Sequence, residues 1–203
     1  MQKSSFLFLL TLSAVALLAA YHATLSGPTS SLFIRFLGLS GFMLLSLTLM
    51  IGPLITIWPN SFGQLFEPRR ALGILSAVFV FIHIFLVSMM YFNFNVVKIL
   101  SFLPLQVGAV AAFLFAVLTI TSSDYAIKKL GKFWKPVQQL TYLAFIFSFT
   151  HLILIERLIE GARPANLAEL SIMLFAVLAV VLQLVGFLKR KGLILKTAEA
   201  AAK

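Results

Sequence analysis

The sequence contains no cysteine among its 203 residues. Disulfide bonds, iron–sulfur clusters, thioether-linked haem and thiolate chemistry are therefore excluded for this chain. Acidic residues are also scarce, since Asp and Glu number 6 against 16 Lys and Arg. No two carboxylates are paired within an apolar stretch, and such a pair would be expected of a proton-coupled transporter.

Long apolar runs dominate what is present. Hydrophobic residues make up 61% of the chain, charged residues only 11%, and the mean hydropathy is +1.06. A soluble domain of this size needs more polar surface, so the solvent must be lipid. We therefore predict an all-α integral membrane protein, one six-helix bundle over residues 1–203, because a spanning helix takes about 20 apolar residues. Its spans are expected at roughly Ser5–Thr24, Ser31–Trp58, Ala71–Phe92, Pro104–Thr121, Pro136–Ile155 and Leu167–Leu188.

Positive charge predicts the orientation of the bundle. Basic side chains follow spans two, four and six, all on one side: Arg69, Arg70, Lys128, Lys129, Lys132, Lys135, Lys189, Arg190, Lys191 and Lys196. The opposite connections carry little net charge: Lys98, Glu156, Arg157, Glu160 and Arg163. By the positive-inside rule both termini are expected to be cytoplasmic. This pattern explains the net charge of +10 without a nucleic-acid partner and leaves membrane lipids, or an acidic donor protein, as partners of the basic loops.

Two histidines interrupt otherwise apolar spans. His83 lies within VFVFIHIFLVSMMYF and His151 within LAFIFSFTHLILIE. Both lie past the middle of their spans, at a similar depth toward the outer side. Ionisable groups inside a membrane are costly and usually face the bundle interior, which makes function the default hypothesis.

This histidine pair is a poor zinc or copper site, which leaves three interpretations: a haem site, a proton relay or a structural role. Zinc or copper would need three or four ligands, and no carboxylate or cysteine lies nearby in sequence. Haem iron needs only two axial imidazoles, and phenylalanines surround both positions. The alternatives are a proton-relay pair and two structural histidines that only hydrogen-bond neighbouring helices.

Several motifs resemble one known family. RRALGILSAVFVFIH, ending at His83, is similar to the third helix of ferric reductase-like transmembrane domains, and most similar to that of MsrQ (YedZ) haem-binding membrane subunits. ITSSDYAIKKLGKFWKPVQQLTYLAFIFSFTH, ending at His151, and TLMIGPL resemble the same family. The resemblance covers spans two to five.

The resemblance implies a cofactor, partners and a location. It implies one non-covalently bound haem b, with His83 and His151 as axial ligands of the iron. It also implies a bacterial inner-membrane subunit that passes electrons to a periplasmic reductase such as an MsrP-like molybdoprotein. Quinol or a cytosolic flavin reductase would donate the electrons, which makes a quinone or flavin a further candidate cofactor.

Gln138 departs from the family pattern, which usually has a further histidine at this position. A neutral amide is a poor ligand for haem iron, so a second haem is not expected. Gln138 is instead a candidate contact for a quinone or a haem edge. This departure makes a two-haem relay doubtful.

Two further residues are candidate cofactor contacts. Arg35, near the outer start of span two, is suited to pair with a haem propionate or to reach the lipid headgroups. His22, near the outer end of span one, is a candidate propionate partner or alternative ligand. No catalytic residue is expected, because the chain has neither a Gly-rich dinucleotide motif nor loops large enough for an acceptor domain. The remaining alternatives are a ferric-chelate or quinone reductase of the same fold, and a non-redox transporter or assembly subunit.

Overall fold

The computed structural model describes residues 3–25, 31–158 and 167–193. Long helices run over Lys3–Leu25 (α1), Leu32–Ile57 (α2), Phe66–Phe92 (α4), Leu103–Ile120 (α6), Leu140–Leu158 (α9) and Leu167–Arg190 (α10). Short helices lie between them at Pro59–Phe62 (α3), Val96–Leu100 (α5), Asp124–Leu130 (α7) and Trp134–Gln138 (α8). In these ranges six helices are long and apolar enough to cross a membrane, which confirms the predicted all-α six-span architecture. Glu160, Arg163 and Lys196 lie outside the described residues.

Helix α2 is the centre of the bundle. Of its membrane-spanning window 72% is buried, against 11–28% in the other five helices. It packs against α1, α4, α9 and α10, while α6 packs mainly on α9. The outer faces of the surrounding helices expose large apolar side chains, as expected of surfaces in contact with lipid.

A proline within α2 explains how α10 attaches to it. Pro53 has no backbone N–H, so the carbonyl of Leu49 four residues earlier loses its helical partner. The Nε2 of Gln183 on α10 donates to that carbonyl at 2.6 Å. Gly186, one turn further along α10, lies directly on Pro53, and a Cβ there would be 3.0 Å from the Cβ of Pro53. The carbonyl freed in one helix is therefore satisfied by a side chain of its neighbour.

Small residues bring α2 and α4 into close contact. The buried hydroxyl of Ser76 donates to the carbonyl of Gly41 at 2.7 Å. A Cβ added at Gly41 would be only 2.7 Å from the Cγ2 of Val80. Close backbone approach through small residues is the usual way that membrane helices pack.

The start of α4 differs from the sequence prediction. The predicted third span begins at Ala71, whereas α4 begins at Phe66 and includes Arg69 and Arg70. Pro68 lies in the first turn of α4, where a backbone N–H has no intrahelical partner to lose. The helix therefore extends from the apolar span through the two arginines.

The predicted fifth span, Pro136–Ile155, is divided in the structure. Helix α8 ends at Gln138 and α9 begins at Leu140. At the start of α9 the N–H of Tyr142 donates to the carbonyl of Gln139 at 3.0 Å, a tight i→i+3 turn of the kind that interrupts regular α-helix. Pro136 consequently belongs to the short helix α8 and not to the first turn of the membrane-spanning helix α9.

The bundle has one strongly basic end, which we call the basic end. Its described side chains are Arg69, Arg70, Lys128, Lys129, Lys132, Lys135, Lys189, Arg190 and Lys191. Three of these side chains join neighbouring helices. Arg70 Nη1 lies 2.6 Å from Asp124 Oδ1, Lys189 Nζ donates to the carbonyl of Ile57 at 2.7 Å, and Arg69 Nε donates to the carbonyl of Thr48 at 3.1 Å. The hydrogen bond and charge of Arg70 lower the pKa of the Asp124 carboxyl below its ordinary value.

Candidate functional site

His83 lies on α4 and reaches across to α2. Its Nδ1 is 2.9 Å from the carbonyl oxygen of Ile34, in the first turn of α2. A carbonyl oxygen only accepts hydrogen bonds, so Nδ1 must carry the proton and donate. The ring is half-buried, and in the neutral imidazole the other nitrogen, Nε2, then keeps its lone pair.

His151 repeats this arrangement between α9 and α6. Its Nδ1 is 2.7 Å from the carbonyl oxygen of Pro104, in the first turn of α6. The same reasoning places the proton on Nδ1 and the lone pair on Nε2. Because α2 and α6 both begin at the end opposite the basic residues, both imidazoles are anchored toward this second end of the bundle, which we call the histidine end.

The two Nε2 atoms share one chemical property. Across the described residues neither has a hydrogen-bond partner within the protein, whereas both Nδ1 atoms do. An imidazole whose Nδ1–H is bonded to a carbonyl is fixed in tautomer and orientation and is a more basic ligand through Nε2. This is the form in which histidine commonly ligates a metal.

The described residues do not form a metal centre built from protein ligands alone. Within residues 3–25, 31–158 and 167–193 there is no group of three or more His, Cys, Asp or Glu side chains close enough to hold a metal ion. Two imidazoles alone do not make a zinc or copper site. A cofactor that brings its own equatorial ligands is compatible with this donor set.

Stacked aromatic rings pack between α2 and α9. The ring of Phe42 stacks on Phe145 and Phe149, with centroids 5.4 Å and 5.9 Å apart. Phe149 precedes His151 by two residues, and Phe42 follows Ile34 by two helical turns. Phe81 and Phe85, which flank His83 in sequence, are exposed on the outer surface of α4. Only part of the phenylalanine pattern therefore lies within the bundle.

Arg35 forms an ion pair at the histidine end. Its Nη2 lies 3.2 Å from Oε1 of Glu156, and the two side chains are 11% and 24% exposed. Arg35 follows Ile34, whose carbonyl accepts the hydrogen bond from His83, and Glu156 lies on the helix of His151. The sequence identified the arginine but not its acidic partner.

His22 does not share the environment of His83 and His151. Its side chain is exposed on α1, where its ring lies edge-on to that of Tyr21 at a centroid distance of 6.0 Å. The structure therefore separates this third histidine from the two that contact α2 and α6.

Gln138 lies toward the basic end, on the wall of a cavity of about 170 Å³. Its Nε2 donates to Oγ1 of Thr121 at 3.1 Å. Arg69 also lines the cavity, with Nε bonded to the carbonyl of Thr48 at 3.1 Å and its guanidinium lying on Gly52. Polar and apolar side chains complete the wall: Leu45, Phe66, Arg70, Gly73, Ile74, Phe115, Leu118, Thr119, Ser122, Ile127, Trp134 and Thr141.

The sequence did not identify the backbone groups that hold the histidines. Neither the carbonyls of Ile34 and Pro104 nor Gly38 and Gly108, on which the two rings lie, carry a motif. Both glycines follow their carbonyl residue by four positions, but this spacing is too common in membrane helices to be recognised alone.

These features define a multi-pass, all-α membrane protein with two imidazoles presented from separate helices at one end of its bundle. The chain belongs to the ferric reductase-like transmembrane component family, whose sequence model matches residues 37–149, more than half of the chain. The match includes His83 and ends two residues before His151. The family resemblance expected from the motifs is thus confirmed.

Curated relatives agree with this assignment. The chain is 28% identical over 122 residues to the protein-methionine-sulfoxide reductase heme-binding subunit MsrQ of Brucella anthropi, covering 58% of this chain and 54% of the relative. It is 27% identical over 126 residues to MsrQ of Brucella ovis, covering 60% and 56%. The chain thus spans about half the length of the curated relatives it matches. No solved structure matches the chain.

Proposed function

We propose that this chain is a b-type haem-binding subunit that transfers electrons through a bacterial inner membrane. The observation that carries the proposal is the pair of imidazoles, each anchored through Nδ1 to a backbone carbonyl with Nε2 unpaired. His83 and His151 are the proposed axial ligands. The heme-binding names of the Brucella relatives support the same cofactor.

The residues present fit this cofactor. His83 and His151 would hold the haem through two imidazoles, the number of protein ligands that its iron needs. A bound haem would supply a one-electron iron couple. The two imidazoles would leave no open ligand position for oxygen, so this chain favours electron transfer over oxygen activation.

The basic end differs in chemistry from the histidine end. Gln138 offers only an amide, and the cavity beside it resembles in size one that holds a single aromatic ring. A neutral amide is a poor ligand for haem iron, which supports one haem for this chain. The guanidinium of Arg69 is suited to donate a hydrogen bond to a head-group oxygen, which is a hydroxyl in a quinol and a carbonyl in the oxidised quinone. A quinol head group is therefore our proposed electron donor, with a cytosolic flavin reductase as the alternative.

The acceptor is proposed to lie on the periplasmic side. The basic end is expected to face the cytoplasm, which would place both histidines near the periplasmic surface. The relatives are named as subunits of a methionine sulfoxide reductase, and an MsrP-like periplasmic molybdoprotein is the acceptor we propose. Electrons would therefore leave the chain at the histidine end.

Spectroscopy of the purified protein tests the proposal. We expect b-type bands in the dithionite-reduced minus oxidised spectrum and one haem per chain in a pyridine haemochrome assay. His83→Ala and His151→Ala should each abolish the bands because each removes an axial ligand. His22→Ala is the matched control and should retain them, since His22 is exposed on α1. A colourless wild-type protein purified from haem-replete cells would refute the redox function and leave a non-redox membrane protein.

A further inference from the structure

The two histidines are held by the same local arrangement. His83 bonds the carbonyl of Ile34 and lies on Gly38, four residues further along α2. His151 bonds the carbonyl of Pro104 and lies on Gly108, four residues further along α6. The histidine follows its carbonyl residue by 49 positions in one case and 47 in the other. We call each carbonyl–glycine pair a histidine socket.

Helix geometry explains why a glycine belongs in each socket. In an α-helix the carbonyl of one residue points along the axis toward the residue four positions later. A ring that bonds this carbonyl from outside therefore lies over the later residue as well. Any side chain at that residue would occupy the space of the ring, whereas glycine leaves it free.

The distances show how little space remains. A Cβ at Gly38 would be 3.0 Å from both Nδ1 and Cε1 of His83. At Gly108 it would be 2.8 Å from Nδ1 and 3.0 Å from Cε1 of His151. Carbon atoms prefer separations of about 3.5–4.0 Å. Either ring would have to move if alanine replaced its glycine, and the ring of His151 would have to move further.

The contacts with the two glycines also fix the direction of Nε2, the proposed ligand atom of each ring. The glycine faces the side of the ring that carries Nδ1 and Cε1. A single hydrogen bond leaves an imidazole free to pivot about the bonded nitrogen, while contact with the glycine surface removes that freedom. Nε2 is consequently directed away from the socket helix.

We propose that Gly38 and Gly108 are positioning residues that set the orientation of the two imidazoles toward the cofactor. This inference rests on the haem function proposed above. The glycines do not touch the cofactor but act through the rings they support. Replacing either one should change the strength and geometry of ligation without removing a ligand.

Alanine substitutions test the two sockets. Gly38→Ala and Gly108→Ala are compared with Gly63→Ala, a control between α3 and α4 whose added Cβ would have nothing within 4 Å. The readouts are the haem-to-protein ratio, the midpoint potential and the electron paramagnetic resonance g-values of the oxidised protein. Loss of an orienting contact commonly weakens metal binding about 10- to 100-fold. We expect weaker haem binding and shifted g-values in both socket variants, more strongly in Gly108→Ala, and wild-type values in Gly63→Ala.

A second experiment separates positioning from misfolding. In His83→Gly, free imidazole can replace the missing ring, and an untethered ring can shift by a few tenths of an ångström. Imidazole should therefore restore haem equally in His83→Gly and in His83→Gly combined with Gly38→Ala. Failure of the double variant alone would show that alanine damages the helix packing, and would overturn the positioning role.

The outcomes distinguish this inference from the proposed function. If the wild-type protein binds no haem, the function itself fails and the positioning role fails with it. If the wild type binds haem and both socket variants keep its haem ratio, potential and g-values, only the positioning role is refuted.

Discussion

The ion pair between Arg35 and Glu156 provides a quantitative test of how the histidine end is held together. It connects α2, which holds His83, with α9, which carries His151. The perturbation is a double-mutant cycle of Arg35→Met, Glu156→Gln and the combined variant. Such a cycle isolates the coupling of the two residues from their other contacts.

The distance and burial set the expected magnitude. At 3.2 Å and an effective dielectric constant of about 20, Coulomb's law gives an attraction of about 5 kcal/mol. Desolvation offsets most of this attraction, and Glu156, at 24% exposed, retains some screening. We therefore expect a net coupling of about 1–2 kcal/mol, larger than the roughly 0–1 kcal/mol of an exposed pair.

The assay is the free energy of unfolding in detergent micelles, measured by denaturant titration. Each single variant should be destabilised, and their combined loss should exceed that of the double variant by the coupling energy. A control cycle pairs Arg35→Met with Lys98→Met, an exposed residue of α5, and should be additive. A coupling no larger than in this control would refute the reasoning.

Two further predictions concern helix packing and the basic end. Gly41→Ala should destabilise the protein by about 1–3 kcal/mol, because its Cβ would be 2.7 Å from an α4 side chain; unchanged unfolding in detergent would contradict this. Arg70→Gln should raise the pKa of Asp124, whose pKa Arg70 lowers in the folded state. A carboxyl with a lowered folded pKa adds stability above its unfolded pKa, and this is lost as the pH falls through the folded value. Carboxyl NMR titration measures the shift, and an unchanged Asp124 pKa in Arg70→Gln would contradict the assignment.

The membrane architecture was predictable because it follows from local composition. Each span is a long, predominantly apolar run, and the cost of placing polar groups in lipid acts on each run separately. The boundaries were less predictable. Arg69 and Arg70 belong to α4 although they are charged, because Pro68 permits the helix to begin before them.

The rotation of each helix could not be predicted from the sequence. Lipid and protein interior are both apolar, so the spans carry little amphipathic periodicity to show which face is buried. For this reason the sequence identified both Arg35 and His22 as candidate contacts. The structure places the first in an ion pair and the second on an exposed surface.

The sequence by itself determined a six-span membrane chain of the ferric reductase-like family, and it identified His83 and His151 as the residues to examine. Only the tertiary structure decided what holds them. The carbonyls of Ile34 and Pro104 lie 49 and 47 residues away along the chain, and backbone carbonyls are identical in every sequence. Their contribution depends on which helices are neighbours and on how those helices are rotated, and both are properties of the packed bundle.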